Sequence, residues 1–203
     1  MLKKSLIVFS ICLIFAAGFI TGCIQKNTPA KKVSAGNSAV LPTELSQPNT
    51  VEGTGTIEVA FSPGGGAAEA VIKTINKAKT SINVQAYIFT NSQIARSLLN
   101  AKKRGIDVKV ILDKSQRTDK YSSAKFFADN SIPVKIDNDF QIAHSKIMII
   151  DDQTVITGSF NFTKSAEEKN AENLLIIHGN KELTALYLKN WLWRWDAAQN
   201  YNS

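Results

Sequence analysis

From Thr56 onward the chain alternates between two apolar rhythms, and this alternation restricts its fold more than any other feature. Ile57-Glu58-Val59-Ala60-Phe61 repeats every second residue and ends at the turn Ser62-Pro63-Gly64-Gly65-Gly66. The next stretch, 67–79, repeats with helical spacing and sets Val71, Ile72, Ile75 and Ala78 on one face. Residues 82–89 read as a strand. Asn91 then suits a helix N-cap, because its side chain can accept from otherwise unpaired amides. The helix it opens carries Ile94, Ala95, Leu98 and Leu99 and stops at Gly105, the residue type best able to take the left-handed turn after a helix. The pattern continues with a strand at 108–112, a helix over 120–130 and a short strand at 134–136. Strands at 146–151 and 154–157 form a hairpin around Asp152-Gln153. A last strand at 174–177 and a closing helix over 180–199 complete the series. Strands alternating with helices predict an α/β domain with a layered, mixed and partly parallel β-sheet flanked by helices. No internal repeat is visible.

The first 55 residues have a different character. Lys3 and Lys4 precede residues 5–22, which carry no charge. Ile20-Thr21-Gly22 then lead to Cys23. A plain export signal ends in small residues and needs no cysteine there. This pattern resembles the bacterial lipobox, whose cysteine becomes the acylated first residue of the mature chain. It implies a signal peptide over 1–22, lipidation at Cys23 and an exported, membrane-anchored lipoprotein outside the cytoplasm. An uncleaved anchor is the main alternative, since an apolar run of that length just spans a bilayer; simple secretion is the other. Residues 24–55 lack aromatic residues and are rich in Ser, Thr, Asn, Pro and Gly. Such composition predicts a flexible tether. The folded domain is then 56–203.

Composition excludes several classes. The full chain has two cysteines and two histidines. That inventory rules out a disulfide-dense scaffold and leaves almost no room for a structural zinc site. Lys+Arg number 24 against 17 Asp+Glu, an excess that favours anionic partners without choosing between nucleic acid and phospholipid headgroups. Lys102, Lys103, Arg104, Lys109, Lys114, Arg117, Lys120 and Lys125 can form a basic groove wall. The first three also sit in the last turn of a helix, where cations are favoured in any case. Leu183, Tyr187, Trp191 and Trp195 recur every fourth residue on the closing helix and are read as core packing. Asp151 and Asp152 alone make a poor two-metal site beside Lys146.

The chemistry concentrates between 144 and 173. On a strand, His144 and Lys146 share a face. A neutral imidazole can attack phosphorus or exchange protons near neutral pH, and an ammonium beside it can neutralise phosphate oxygens. Gly158-Ser159-Phe160-Asn161 can offer backbone amides, a hydroxyl and a side-chain amide to an anion. Glu172, at the start of the last strand, can orient one nitrogen of His144. Each piece alone also suits a plainer role: a strand edge, a loop entering a helix, a solvated acid.

In this order and spacing the three pieces resemble the phospholipase D superfamily. His144, Lys146 and Asp151 match its His-x-Lys-x4-Asp signature, Gly158, Ser159 and Asn161 its Gly-Ser-x-Asn, and Glu172 and Asn173 its Glu-Asn. The likeness extends through IEVAFSP, AYIFT, AKKRGIDVKVILD and TGSFNFTK, and so across 56–199. It is nearest to the small exported bacterial endonucleases that carry one motif. The resemblance implies a metal-independent phosphodiesterase needing no cofactor. His144 would be the nucleophile, Lys146 and Asn161 would hold phosphate oxygens with help from Ser159, Glu172 would orient His144, and Asp151 would be structural or electrostatic. A second imidazole must protonate the leaving oxygen. His178 lacks a lysine partner, so the second His144 is expected from a homodimer. DNA is the expected substrate, with RNA close to it; hydrolysis of phospholipid headgroups is the alternative.

Overall fold

A computed structural model describes residues 41–202. The expected signal peptide, Cys23 and the tether as far as residue 40 lie outside the described residues. The rest of the expected tether is described. It contains one 3-10 turn, Thr43–Leu45, and touches the domain. Lys189 pairs with Glu44, and the Asn180 amide donates to the Glu52 carbonyl at 2.8 Å. A stretch too polar to build a core of its own can still dock through such contacts.

Eight strands form one sheet: β1 (Thr56–Ser62), β2 (Ser81–Ala86), β3 (Asp107–Asp113), β4 (Val134–Asp137), β5 (Lys146–Ile150), β6 (Thr154–Gly158), β7 (Glu172–His178) and β8 (Gln199–Asn200). Their spatial order is β1-β7-β6-β5-β2-β3-β4-β8. β2, β3 and β4 run parallel, and every other neighbour pair is antiparallel. The sheet is therefore mixed, as the alternating pattern implied.

Five helices cover it: α1 (Ala67–Lys77), α2 (Ser92–Lys103), α3 (Ala124–Asp129), α4 (Lys164–Glu168) and α5 (Lys181–Ala197). One face of the sheet presents Val110, Val84, Met148, Ile156 and Ile176, each facing the next in register. These pack with Val71 and Ile75 of α1, Ile94 and Leu98 of α2 and Phe127 of α3 in the main core. The other face carries Ile111 and Ile149 and is covered by α5 through Trp191, Tyr187 and Trp195. Trp191 also donates its indole N–H to the Val84 carbonyl at 2.9 Å. The helical tryptophans are thus core residues; Leu183 is half-buried.

The expected helix over 120–130 shortens to α3, because a 3-10 turn at Lys114–Arg117 and irregular chain occupy the preceding residues. The β5–β6 turn is centred on Asp151 and Asp152, both at positive φ, one residue earlier than the pattern suggested. On β1, Ile57, Val59 and Phe61 lie exposed, so this strand's apolar face is not its core face. Among the described residues no helix is long and apolar enough to cross a membrane.

Candidate active site

The antiparallel and parallel pairings bring distant segments to one end of the sheet. There β2, β3 and β6 finish while β5 and β7 begin. That geometry places His144 and Lys146, Ser159 and Asn161, and Glu172 on a common rim.

His144 precedes β5 in extended chain, and its side chain is exposed. Lys146 opens β5 and is only 6% exposed. The ammonium donates to the His144 backbone carbonyl at 2.7 Å. Burial pushes the Lys146 pKa below the ordinary lysine range, and the Glu172 carboxylate opposes part of that fall. The chain entering His144 is pinned by Asp113 at the end of β3. Its carboxylate accepts from the Ala143 amide at 2.7 Å and from the Ser115 amide at 2.9 Å.

Ser159 is the hub of the second cluster. Its hydroxyl donates to Glu172 Oε2 and accepts from the Asn173 backbone N–H at 3.0 Å. Glu172 Oε1 accepts from the Asn170 amide at 3.1 Å. Both carboxylate oxygens are engaged, and among the described residues none of these bonds reaches His144. The expected orienting bond from Glu172 to His144 is thus not formed here; Ser159 and Asn170 compete for the same lone pairs. The Ser159 and Phe160 amides both donate to the Asn173 carbonyl, at 3.1 and 3.2 Å. The turn therefore does not aim those N–H groups at an anion. Gly158 must be glycine: its φ is 148°, and a Cβ would lie 2.3 Å from the Asn173 carbonyl oxygen. Asn161 lies between the fully buried Phe160 and Phe162, and its Oδ1 is shielded from water without a donor. An unpaired buried acceptor is unfavourable, and it calls for a donor, which a phosphate oxygen is not; only the Asn161 NH2 group can donate to phosphate.

Asp151, expected to be structural or electrostatic, and His178, not expected at the site, lie elsewhere. Asp151 follows β5 at its far end, roughly 16 Å from Lys146 at 3.3 Å per strand residue. Its carboxylate accepts from the Lys79, Thr80 and Ser81 amides and from the Thr80 hydroxyl. Burial raises its pKa, but these bonds outweigh burial and hold it below the ordinary carboxylate value. Asp151 is a structural clamp, outside the reacting cluster. His178 ends β7 at the same far end, against the Thr154 hydroxyl at 3.2 Å and 3.9 Å from Glu58. The basic residues divide as well. Lys114, Arg117 and Lys120 follow β3 at the His144 end, whereas Lys102, Lys103, Arg104 and Lys109 lie at the opposite end. Arg104 is tied to the Ile75 carbonyl, Lys109 to Asp107 and Lys125 to Asp129. One continuous basic wall does not exist.

Sequence reasoning missed Tyr87, Asp113 and Asn170. Asp113 and Tyr87 each end or follow an apolar strand run on the parallel side, where α/β sheets place their chemistry at the carboxyl ends. That rule was the available signal for both.

A mixed α/β sheet with an exposed imidazole, a buried ammonium and a Ser–Glu–Asn network at one end suits the hydrolysis of phosphodiester bonds. The family described as cardiolipin synthase, PLD-like domain, matches residues 71–195. Phospholipase D of Rickettsia prowazekii is 42% identical over 138 residues, 68% of this chain and 67% of that protein. The phospholipase D family member Nuc from Salmonella typhimurium shares 43% identity, covering 73% of this chain and 99% of that one with a TM-score of 0.70. NucT from Helicobacter pylori has the same fold, with 24% identity and a TM-score of 0.65. The chain belongs to the phospholipase D superfamily and is one of its phosphodiesterases.

Proposed function

We propose that this protein is an exported endonuclease that hydrolyses DNA, with RNA as the neighbouring substrate, through a phosphohistidine and without a metal ion. The observation that carries this reading is the exposed imidazole of His144 with the nearly buried ammonium of Lys146 bonded to the same residue's backbone carbonyl. The imidazole attacks phosphorus. A P–N bond forms as the P–O bond to the leaving strand breaks, and His144 of the partner subunit, as imidazolium, gives its proton to the leaving oxygen. Water then passes a proton to that second imidazole and attacks phosphorus, which breaks the P–N bond and restores both rings. Lys146 and the Asn161 amide hold the phosphate oxygens. Glu172, held by Ser159 and Asn170, supplies negative charge that opposes the loss of the Lys146 proton. The chain is a homodimer, because each site needs two imidazoles, and it is held outside the cytoplasm by a lipid on Cys23.

Nucleic acid is favoured by the rim itself. Lys114, Arg117 and Lys120 provide cations for a phosphate backbone, and Lys120 lies 4.7 Å from the ring of Tyr121. Tyr121 is 69% exposed and presents a face on which a base can stack. A second reading, hydrolysis of phospholipid headgroups, has its own observation. Phe140 and Ile142, on the loop entering His144, are 42% and 52% exposed, as an interfacial loop requires. The name of the Rickettsia relative points the same way.

The test offers plasmid DNA and phosphatidylcholine vesicles separately to the full chain in excess EDTA, beside His144→Ala. DNA cleavage that survives EDTA and is lost by about 10⁴-fold or more in the variant is expected. Cleavage abolished by EDTA contradicts the mechanism, and lipid turnover without DNA cleavage selects the second reading.

A further inference from the structure

Tyr87 stands between the two groups on which the reaction depends. It follows β2 directly, and its N–H donates to the Ser145 carbonyl at 2.8 Å. That bond extends the β2–β5 ladder to the residue between His144 and Lys146. The Tyr87 ring lies 4.5 Å from the His144 ring, centroid to centroid, at an interplanar angle of 50°. The Lys146 ammonium lies 5.0 Å from the same centroid. One aromatic side chain therefore touches both the imidazole and the cation.

Among the described residues the His144 side chain makes no hydrogen bond, and Glu172, which the sequence assigned to orient it, is bonded to Ser159 and Asn170. What restrains the imidazole in this structure is the ring of Tyr87. Offset and tilted aromatic contacts of this kind are attractive and fix ring orientation. Lys146 is buried and lacks a salt bridge among the described residues, so the negative face of the same ring is one of the few groups that favour its charge.

Resting on the phosphodiesterase reading above, we infer that Tyr87 is a positioning residue for phosphoryl transfer: its ring sets the plane of His144 for attack and holds Lys146 as a cation beside it. The ring performs both tasks, and the hydroxyl is not needed for either.

The test compares the full-length wild type with Tyr87→Phe and Tyr87→Leu, using bis(4-nitrophenyl) phosphate as a substrate free of nucleic-acid or lipid contacts. Tyr87→Phe keeps kcat within about twofold, while Tyr87→Leu lowers kcat by about 10²-fold and changes KM much less, the size associated with misplacing a reacting group. The alkaline limb of the kcat profile moves to lower pH in Tyr87→Leu and stays in place in Tyr87→Phe. In wild type, NMR shows a nuclear Overhauser contact between the Tyr87 and His144 rings, and in Tyr87→Leu the His144 ring protons lose their ring-current displacement. A folded Tyr87→Leu that keeps kcat and its pH profile overturns the inference, as does equal loss in both variants. Absence of the ring-to-ring contact in wild type overturns it even if the leucine variant does not fold. A wild type that hydrolyses neither this diester, DNA nor phosphatidylcholine removes the phosphodiesterase reading together with the inference; an active wild type with an unimpaired leucine variant removes the inference alone.

Discussion

Lys146 carries a conflict that its neighbours only partly resolve. An ammonium at 6% exposure disfavours its own charge, and the Glu172 carboxylate opposes that tendency without cancelling it. If charged Lys146 holds the phosphate, activity must fall on the alkaline side at a pH below the ordinary lysine value of about 10.4. Lys146→Arg is expected to move that limb upward, because a guanidinium stays protonated throughout, even where its different shape lowers the maximal rate. A pH–rate profile of both proteins measures this. The same residue affects stability with a definite sign. The penalty for burying the cation is present below its folded pKa and fades as pH rises through it. Lys146→Met should therefore stabilise the fold at neutral pH and do so less at strongly alkaline pH, in thermal melts. Asp151 behaves in the opposite sense. Its folded pKa is depressed, so its stabilisation is present above the unfolded value of about 3.9 and is lost as pH falls through the folded one. Asp151→Ala should cost about 1.5–3 kcal/mol at pH 7 and flatten the acid unfolding profile. Its kcat should stay near wild type, since the residue sits far from His144; a large loss of kcat in a folded variant would contradict that placement.

The helices and strands depend on contacts that cross long stretches of chain. α1 starts after Gly66 and has no side-chain cap of its own. Glu167, in α4, accepts from the Gly66 amide at 3.1 Å and the Ala68 amide at 2.8 Å, and so caps it from about a hundred residues away. Glu167→Ala should cost about 1 kcal/mol by chemical denaturation. α5 is fastened to β4 by a buried ion pair: Arg194 donates its Nε to Asp137 Oδ2 at 2.9 Å and a second N–H to Oδ1. The guanidinium also lies 4.0 Å from the Phe140 ring, on the loop that enters His144. Asp137→Ala leaves that cation buried without its main partner and should destabilise by about 3–5 kcal/mol. A cost under about 1 kcal/mol would show that the pair adds little. By contrast, Asn91 caps α2 through bonds to the Gln93 and Ile94 amides, and Gly105 follows its end at positive φ. Those two boundaries were legible because cap and helix are adjacent in the chain. The cap of α1 and the anchor of α5 were not, because their partners are distant in sequence.

At the scale of the whole molecule, the arrangement leaves one imidazole per chain at the reacting end, with His178 at the other. The proposed two-step displacement would then draw its second imidazole from a second copy. Wild type mixed in equal amounts with His144→Ala, after subunit exchange, should keep about a quarter of the activity of the same total of wild type, because that fraction of dimers retains both imidazoles. Retention of half would mean that each chain works alone. The rim basic residues give a second expectation. Lys114→Ala, Arg117→Ala and Lys120→Ala should each weaken DNA binding and reduce its dependence on log salt by about one charge. Changes at Lys102 or Lys103, at the far end of the sheet, should leave the slope unaltered. Equal effects at both ends would restore the single basic wall that the strand order divides.

Local spacing by itself determined the α/β class, most element positions and the core tryptophans, since periodicity and caps are written in neighbouring residues; the set His144, Lys146, Ser159, Asn161 and Glu172 was read from the family resemblance of three short motifs. Only the tertiary structure decided which of these meet. It placed Asp151 at the opposite end, beside His178, turned Glu172 toward Ser159 and Asn170, and brought Tyr87 against both His144 and Lys146. The physical reason is that strand order and register arise from how two apolar faces are buried together across the whole sheet, and a contact between β2 and β5 spans some sixty residues that carry no local sign of it.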